Sequence, residues 1–141
     1  DRRLMTFPVP GLSNTTMADA PLGLFDVAVT NAAHPVNDGP HGQLTDTSLD
    51  DPDAPLYGYA DATTAPSGTQ AILHHEAKNE DPGTHLVTFA YPYGQGWVIY
   101  STVPITYFYG AGAPTARTAS NEIYLPNLMA WAMELARGAQ P

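Results

Sequence analysis

The chain has 141 residues, with 5 Lys+Arg against 14 Asp+Glu and a formal net charge of −9. That balance speaks against nucleic-acid binding, which needs basic groups to neutralise phosphates, and against docking on anionic lipid. Cysteine is absent, so these residues hold no disulfide, thiolate metal site or cysteine nucleophile.

A content of 43% hydrophobic residues suffices for one domain with a core. No run approaches the ~20 apolar residues of a membrane span, so no membrane insertion is expected. Lys78 is the single lysine, among many Thr, Pro, Gly and Asn. This composition points to an exported protein, whether periplasmic, cell-surface or secreted. The first residue is Asp1 rather than Met, as in a processed product or a piece of a longer chain.

Residues 1–24 read as an N-terminal arm and loop. Leu4–Phe7 form a short apolar run before Pro8, Pro10 and Gly11, and Asn14-Thr15-Thr16 matches a glycosylation sequon better explained as a Ser/Thr-rich loop. Residues 25–138 read as a single α/β domain, or the closing part of a larger one. Phe25–Thr30 predicts a strand. Asn31–Gly42 is a loop punctuated by His-Pro, Asn-Asp-Gly and Gly-Pro. His34 and His41 lie seven apart in it and could serve a ligand, with Asp38 between them. No third residue stands at metal-ligand spacing, so no metal is expected there.

Asp46, Asp50, Asp51 and Asp53 follow in a segment that lacks the calcium-loop frame. A solvated acidic loop is the simpler reading. Leu56–Ala60 predicts a short strand or turn, and Gln70–Glu76 a longer strand. Adjacent residues of a strand face opposite sides, so one of His74 and His75 should point inward and the other outward.

Leu86–Tyr91 and Trp97–Val103 are rich in residues suited to a pleated, half-buried surface and flank Gly94-Gln95-Gly96. They predict a β-hairpin over 86–103. Apolar residues occupy both its faces, which favours a central hairpin covered on two sides. Thr106–Thr118 reads as an aromatic, glycine-rich loop. Tyr107, Phe108 and Tyr109 would cap the sheet edge or line a contact surface there. Ser120–Arg137 predicts a helix of about 120–137, capped by Ser120 with Glu122 in its first turn. Tyr124, Leu128, Trp131 and Leu135 form its apolar stripe, Ala132 and Ala136 widen it, and Pro126 predicts a kink or a late start.

Two phrases, YPYGQGWVIYSTVP and YLPNLMAWAMELA, resemble the closing part of class I glutamine-amidotransferase-like domains. The matching residues are Gly94, Gly96, Val98, Ile99, Tyr100 and Ser101, then Asn127, Leu128 and Trp131. His34-Pro35 with Gly39-Pro40 and Gly42 resembles the His-Pro loop of many such domains. The resemblance covers roughly residues 25 to 137 and implies a flavodoxin-like α/β fold. It does not carry the glutaminase chemistry: there is no Cys, and Ser101–Gly110 contains no His.

A Ser–His–Asp site has no Gly-x-Ser-x-Gly elbow to rest on. The leading expectation is a non-catalytic binding or assembly module of an exported bacterial protein. It would need no cofactor and would meet a protein or carbohydrate partner through Tyr107, Phe108, Tyr109, His34, Asp38 and His41. One alternative is a metal- or His/Asp-dependent hydrolase using His34, His41 or His74 with Asp38 or Glu76. Another is a structural subunit of a surface layer or filament, self-associating or associating with the rest of a longer chain.

Overall fold

The structure is a computed structural model that describes residues 17–18, 26–52, 59–60, 65–75 and 85–138. The Leu4–Phe7 arm, the Asn14 sequon, Asp53 and Glu76 with the connection after it lie outside these residues. In chain order the strands are β1 (Met17–Ala18), β2 (Val27–Val29), β3 (Asp38–Gly39), β4 (Gly42–Gln43), β5 (Tyr59–Ala60), β6 (Gln70–His75), β7 (Leu86–Tyr93) and β8 (Gly96–Ser101). The helices α1 (Ile105–Gly110), α2 (Pro114–Thr118) and α3 (Leu125–Gly138) follow, with a π-helical segment, Ala119–Tyr124, joining α2 to α3.

The main sheet runs β1-β5-β7-β6-β2, with β8 also paired to β7. The four longer strands β2, β6, β7 and β8 make its body. The mix of α and β matches expectation, but every described pairing is antiparallel. A flavodoxin-like sheet is parallel, and parallel neighbours need a long crossover between them. Here β7 turns into β8 through two residues.

That turn explains the hairpin. Gly94 has φ 59°, and a positive φ at the first central residue is the type II′ geometry that matches strand twist. Of the two hairpin strands only β7 is central: Leu86–Tyr91 are all buried. β8 pairs only with β7 among the described residues and is half-buried along most of its length. Side-chain alternation divides two apolar clusters between the faces, and the irregular β6–β7 register between Leu73↔Thr88 and His74↔Leu86 reverses its phase in β7, so Val87 joins the cluster of Ala90 and Leu86 that of Phe89. Val87, Ala90 and Ile99 pack with the helices through Val103, Phe108, Tyr124 and Trp131. Leu86, Phe89 and Tyr91 pack with Ala65, Ala71, Val98 and Tyr100.

Both His74 and His75 are buried, not one inward and one outward. β6 lies between β2 and β7, and its two faces are both covered. The acidic segment is not simply solvated either. Val27 and Val29 turn their N–H groups outward from the sheet edge, where Asp50 Oδ1 (3.3 Å) and Asp46 Oδ1 (3.1 Å) accept them. Asp51 is buried and accepts the Ala113 N–H at 2.6 Å. These carboxylates satisfy edge-strand and helix-start donors that would otherwise lack partners.

The predicted aromatic loop contains α1, and the predicted last helix begins at Pro114, six residues before Ser120. Ser120 is therefore no cap but a buried interior residue. Pro126 is accommodated without ending the helix. The Leu125 N–H reaches back to the Ser120 carbonyl, one residue farther than in an α-helix. The wider π turn lies where the proline ring would otherwise press on the preceding turn.

Candidate binding groove

The Asn31–Gly42 loop is held from within and from behind. The His34 carbonyl accepts the N–H groups of Asn37 and Asp38, and Asn37 Nδ2 donates to the carbonyls of Asn31 (2.9 Å) and Ile72 (3.0 Å). On α3, buried Asn127 donates to the Val36 and Gly42 carbonyls and accepts the His41 N–H at 3.0 Å. Gly39 makes this approach feasible. A Cβ there would overlap the Pro35 carbonyl and stand 2.6 Å from Asn127 Oδ1.

His34 Nδ1 accepts the Val36 N–H at 3.2 Å, so the proton sits on Nε2, facing Gln70 Oε1 at 3.4 Å. Burial lowers the His34 pKa below its ordinary value, against an opposing pull from the Gln70 bond. The neutral ring lies edge-on to Trp131, centroids 4.5 Å apart. Trp131 in turn meets Trp97 at 6.5 Å, also edge-on.

An open groove of about 500 Å³ lies at this end of the sheet, lined by Pro35, Gln95, Trp97, Trp131, Glu134, Leu135 and Gly138. A second hollow of about 310 Å³ adjoins it, lined by Gly96, Trp97, Ile99, Ala132, Leu135 and Ala136. Trp97 and Leu135 wall both. Trp97 is 36% exposed, whereas Trp131 is 7% exposed and forms a fixed back wall.

The residues expected to bind do not form one surface. His34 is buried behind Trp131 and supports the groove without lining it. Asp38 and His41 are exposed on the loop but line neither hollow. Phe108 is fully buried in the core, Tyr107 is half-buried against it, and Tyr109 is 83% exposed on α1. The aromatic triplet thus divides between core and solvent, as successive helical residues do.

The convergence required by a histidine hydrolase is not formed among the described residues. His34 faces Gln70 and His74 Nδ1 faces Thr30 Oγ1 at 2.9 Å. Gln70 and His74 stand four residues apart on β6, about 13 Å of extended chain. No group of three or more His, Asp or Glu is placed to hold a metal ion among the described residues. Ser101 Oγ lies among hydroxyls, 2.7 Å from Tyr124 Oη and 3.0 Å from Thr88 Oγ1, and accepts the Val103 N–H. Burial pushes the Tyr124 phenol up to about 12, against the opposing effect of its Ser101 and Thr88 hydrogen bonds, so Tyr124 stays protonated at neutral pH and is no base for Ser101.

Sequence reasoning set Trp97 on a covered face of the hairpin and Trp131 on the packing stripe of the last helix, and missed that they share a wall. The available signal was Trp97 itself, a large aromatic directly after a Gly-x-Gly turn, where a hairpin tip projects beyond its sheet. Among the described residues no helix is long and apolar enough to cross a membrane. Comparison with protein-family models, curated proteins and solved structures gave no match.

Proposed function

We propose that this domain is a non-catalytic binding or assembly module of an exported bacterial protein, and that it takes its partner in the Trp97–Trp131 groove. The observation that carries the reading is the make-up of that groove. Two indoles, Pro35 and Leu135 supply apolar surface, while Gln95 and Glu134 supply polar groups at the rim. Concave aromatic walls with a few polar groups are the usual form of a recognition site. The exported setting rests on composition, with one lysine and many small polar residues. The amidotransferase-like resemblance belongs to the same proposal: the antiparallel strands and α3 would form the closing part of such a domain.

The chain has two tryptophans, so its indole N–H groups give two separate NMR signals. We would titrate the protein with soluble cello-, xylo- and manno-oligosaccharides and with a displayed random-peptide selection. The expected result is a ligand that moves the Trp97 signal and loses affinity at least tenfold in Trp97→Ala. Ligands that bind with both indole signals unmoved would refute the assignment of the groove.

A further inference from the structure

We infer that the outer edge of β8 accepts an extended, basic segment of a partner protein as an added strand, its side chains entering the two hollows beside Trp97. This rests on the groove being the binding site and names the class of partner.

The backbone argument begins at the hairpin turn. With a two-residue turn, the closing pair Tyr93↔Gly96 exchanges both its hydrogen bonds, and pair types then alternate along an antiparallel ladder. Val98 and Tyr100 therefore bond to β7, while the N–H and C=O of Trp97 and Ile99 point away from it. Pro92 confirms the phase. It pairs with Trp97, a position where its missing N–H costs no bond to β8. No strand among the described residues pairs with β8 on its outer side; β5 meets β7 only at Leu86, beyond the end of β8.

Natural sheets blunt such edges with charges, proline or a covering element. This edge has no charge: residues 86–116 contain no Asp, Glu, Lys or Arg. α3 leaves a trough beside it rather than filling it. Ala132 and Ala136 are small, and the hollow they share with Gly96, Trp97 and Ile99 remains open at about 310 Å³. A strand laid on β8 would send alternate side chains toward α3, as in strand-addition recognition. One would enter the Ala132/Ala136 hollow. The next on that face, two residues along, would reach the larger hollow, where Glu134 is the one charged lining residue among those described. The fitting segment is therefore apolar at one position and Lys or Arg two residues away. A second copy of this chain fits less well, because each carries a net charge of −9 and like charges repel.

The test is selection from a displayed random octapeptide library against the full chain, with counter-selection on Trp97→Ala. Enriched peptides are then synthesised with and without N-methylation at the pairing residues. The expected result is an apolar-x-Lys/Arg motif, slowed amide exchange at Trp97 and Ile99 in the complex, and affinity at least tenfold weaker for the N-methylated peptide. Ile99→Pro removes an outward N–H but no bond to β7, and should weaken binding similarly. Glu134→Lys, a surface change that leaves folding intact, should reverse the preference from basic to acidic peptides. Peptides that bind equally well when N-methylated, yet still move the Trp97 indole, would overturn strand addition and leave the groove reading standing. No enriched peptide, with an oligosaccharide moving that signal, would do the same. Failure of every ligand class at Trp97 would overturn both. Concentration-dependent dimerisation that protects the Trp97 and Ile99 amides without peptide would make a second copy the occupant and overturn the partner assignment.

Discussion

Replacing Asn127 should unfasten the His34–Gly42 loop from α3. The side chain is fully buried. Nδ2 donates to the Val36 carbonyl at 3.2 Å and the Gly42 carbonyl at 3.0 Å, and Oδ1 accepts the His41 N–H at 3.0 Å. In Asn127→Ala all three bonds are lost. Val36 is buried, whereas Gly42 and His41 are exposed, so one carbonyl is left without a partner and two groups turn to water. A net hydrogen bond contributes about 0.5–1.5 kcal/mol and a buried unpaired group costs about 1–3 kcal/mol, so two of the first and one of the second give a loss of about 2–6 kcal/mol. With a urea m-value of about 2 kcal/mol/M, the unfolding midpoint should fall by about 1–3 M. Asn127→Asp should be at least as damaging, because it keeps the acceptor for His41 but sets an oxygen against two carbonyls. Urea unfolding followed by tryptophan fluorescence measures both. A loss under 0.5 kcal/mol in the alanine variant, or a milder effect in the aspartate variant, would refute this account of the loop.

Tyr124→Phe should cost about 1–2 kcal/mol at neutral pH, since the phenol bonds Thr88 and Ser101 inside the core. The Tyr124 phenol is raised to about 12 from an unfolded value near 10, so its contribution is intact below pH 10 and lost as pH rises toward 12. The alkaline fall in stability should therefore be shallower in Tyr124→Phe than in the parent, as read by urea midpoints from pH 9 to 12. His34 has the opposite dependence. Its folded pKa lies below 6.5, so stability should be full above pH 6.5 and decline as pH falls through that value; NMR titration should place the His34 midpoint below 6.5, and a midpoint above it would refute the buried neutral ring. Gly39→Ala should destabilise by more than 1 kcal/mol, because the new Cβ meets the Pro35 carbonyl and the Asn127 amide; thermal unfolding would show it.

The hairpin was legible because its signals are local: β-prone runs and a glycine with the positive φ the turn demands. The apolar stripe of α3 was legible for the same reason, with Trp131 and the half-buried Leu128 and Leu135 on the packed side. What was not legible depends on pieces far apart in the chain. Asp46 and Asp50 look solvated until β2 brings its outward N–H groups to them. Phe108 looks like one of three surface aromatics until α1 forms and rotates it into the core. The π turn before Pro126 leaves no periodic trace. The groove draws its walls from residues 35, 95–97 and 131–138, three segments whose meeting no local pattern announces.

The helix phrase and the His-Pro loop, both of which carried the resemblance, form one physical unit. Asn127 and Trp131 are four residues apart on α3, hence on one face. The first fixes the backbone of the His-Pro loop, and the second packs against the ring of its histidine. Gly39 leaves space for the first contact, and Gln70 holds His34 in place for the second. His34, Asn127, Gly39 and Gln70 act on the groove through the positions of Pro35 and Trp131, whereas Trp97 borders both hollows directly. Their replacements should therefore separate by mechanism. His34→Ala or Asn127→Ala should lower stability and loosen Trp131 together, so that any loss of binding follows the loss of fold. Trp97→Ala removes a side chain already 36% exposed and should weaken binding with far less effect on the unfolding midpoint. If Trp97→Ala instead destabilised the fold as much as Asn127→Ala, the indole would be a packing element of the hairpin, and its assignment as the exposed wall of the groove would fall.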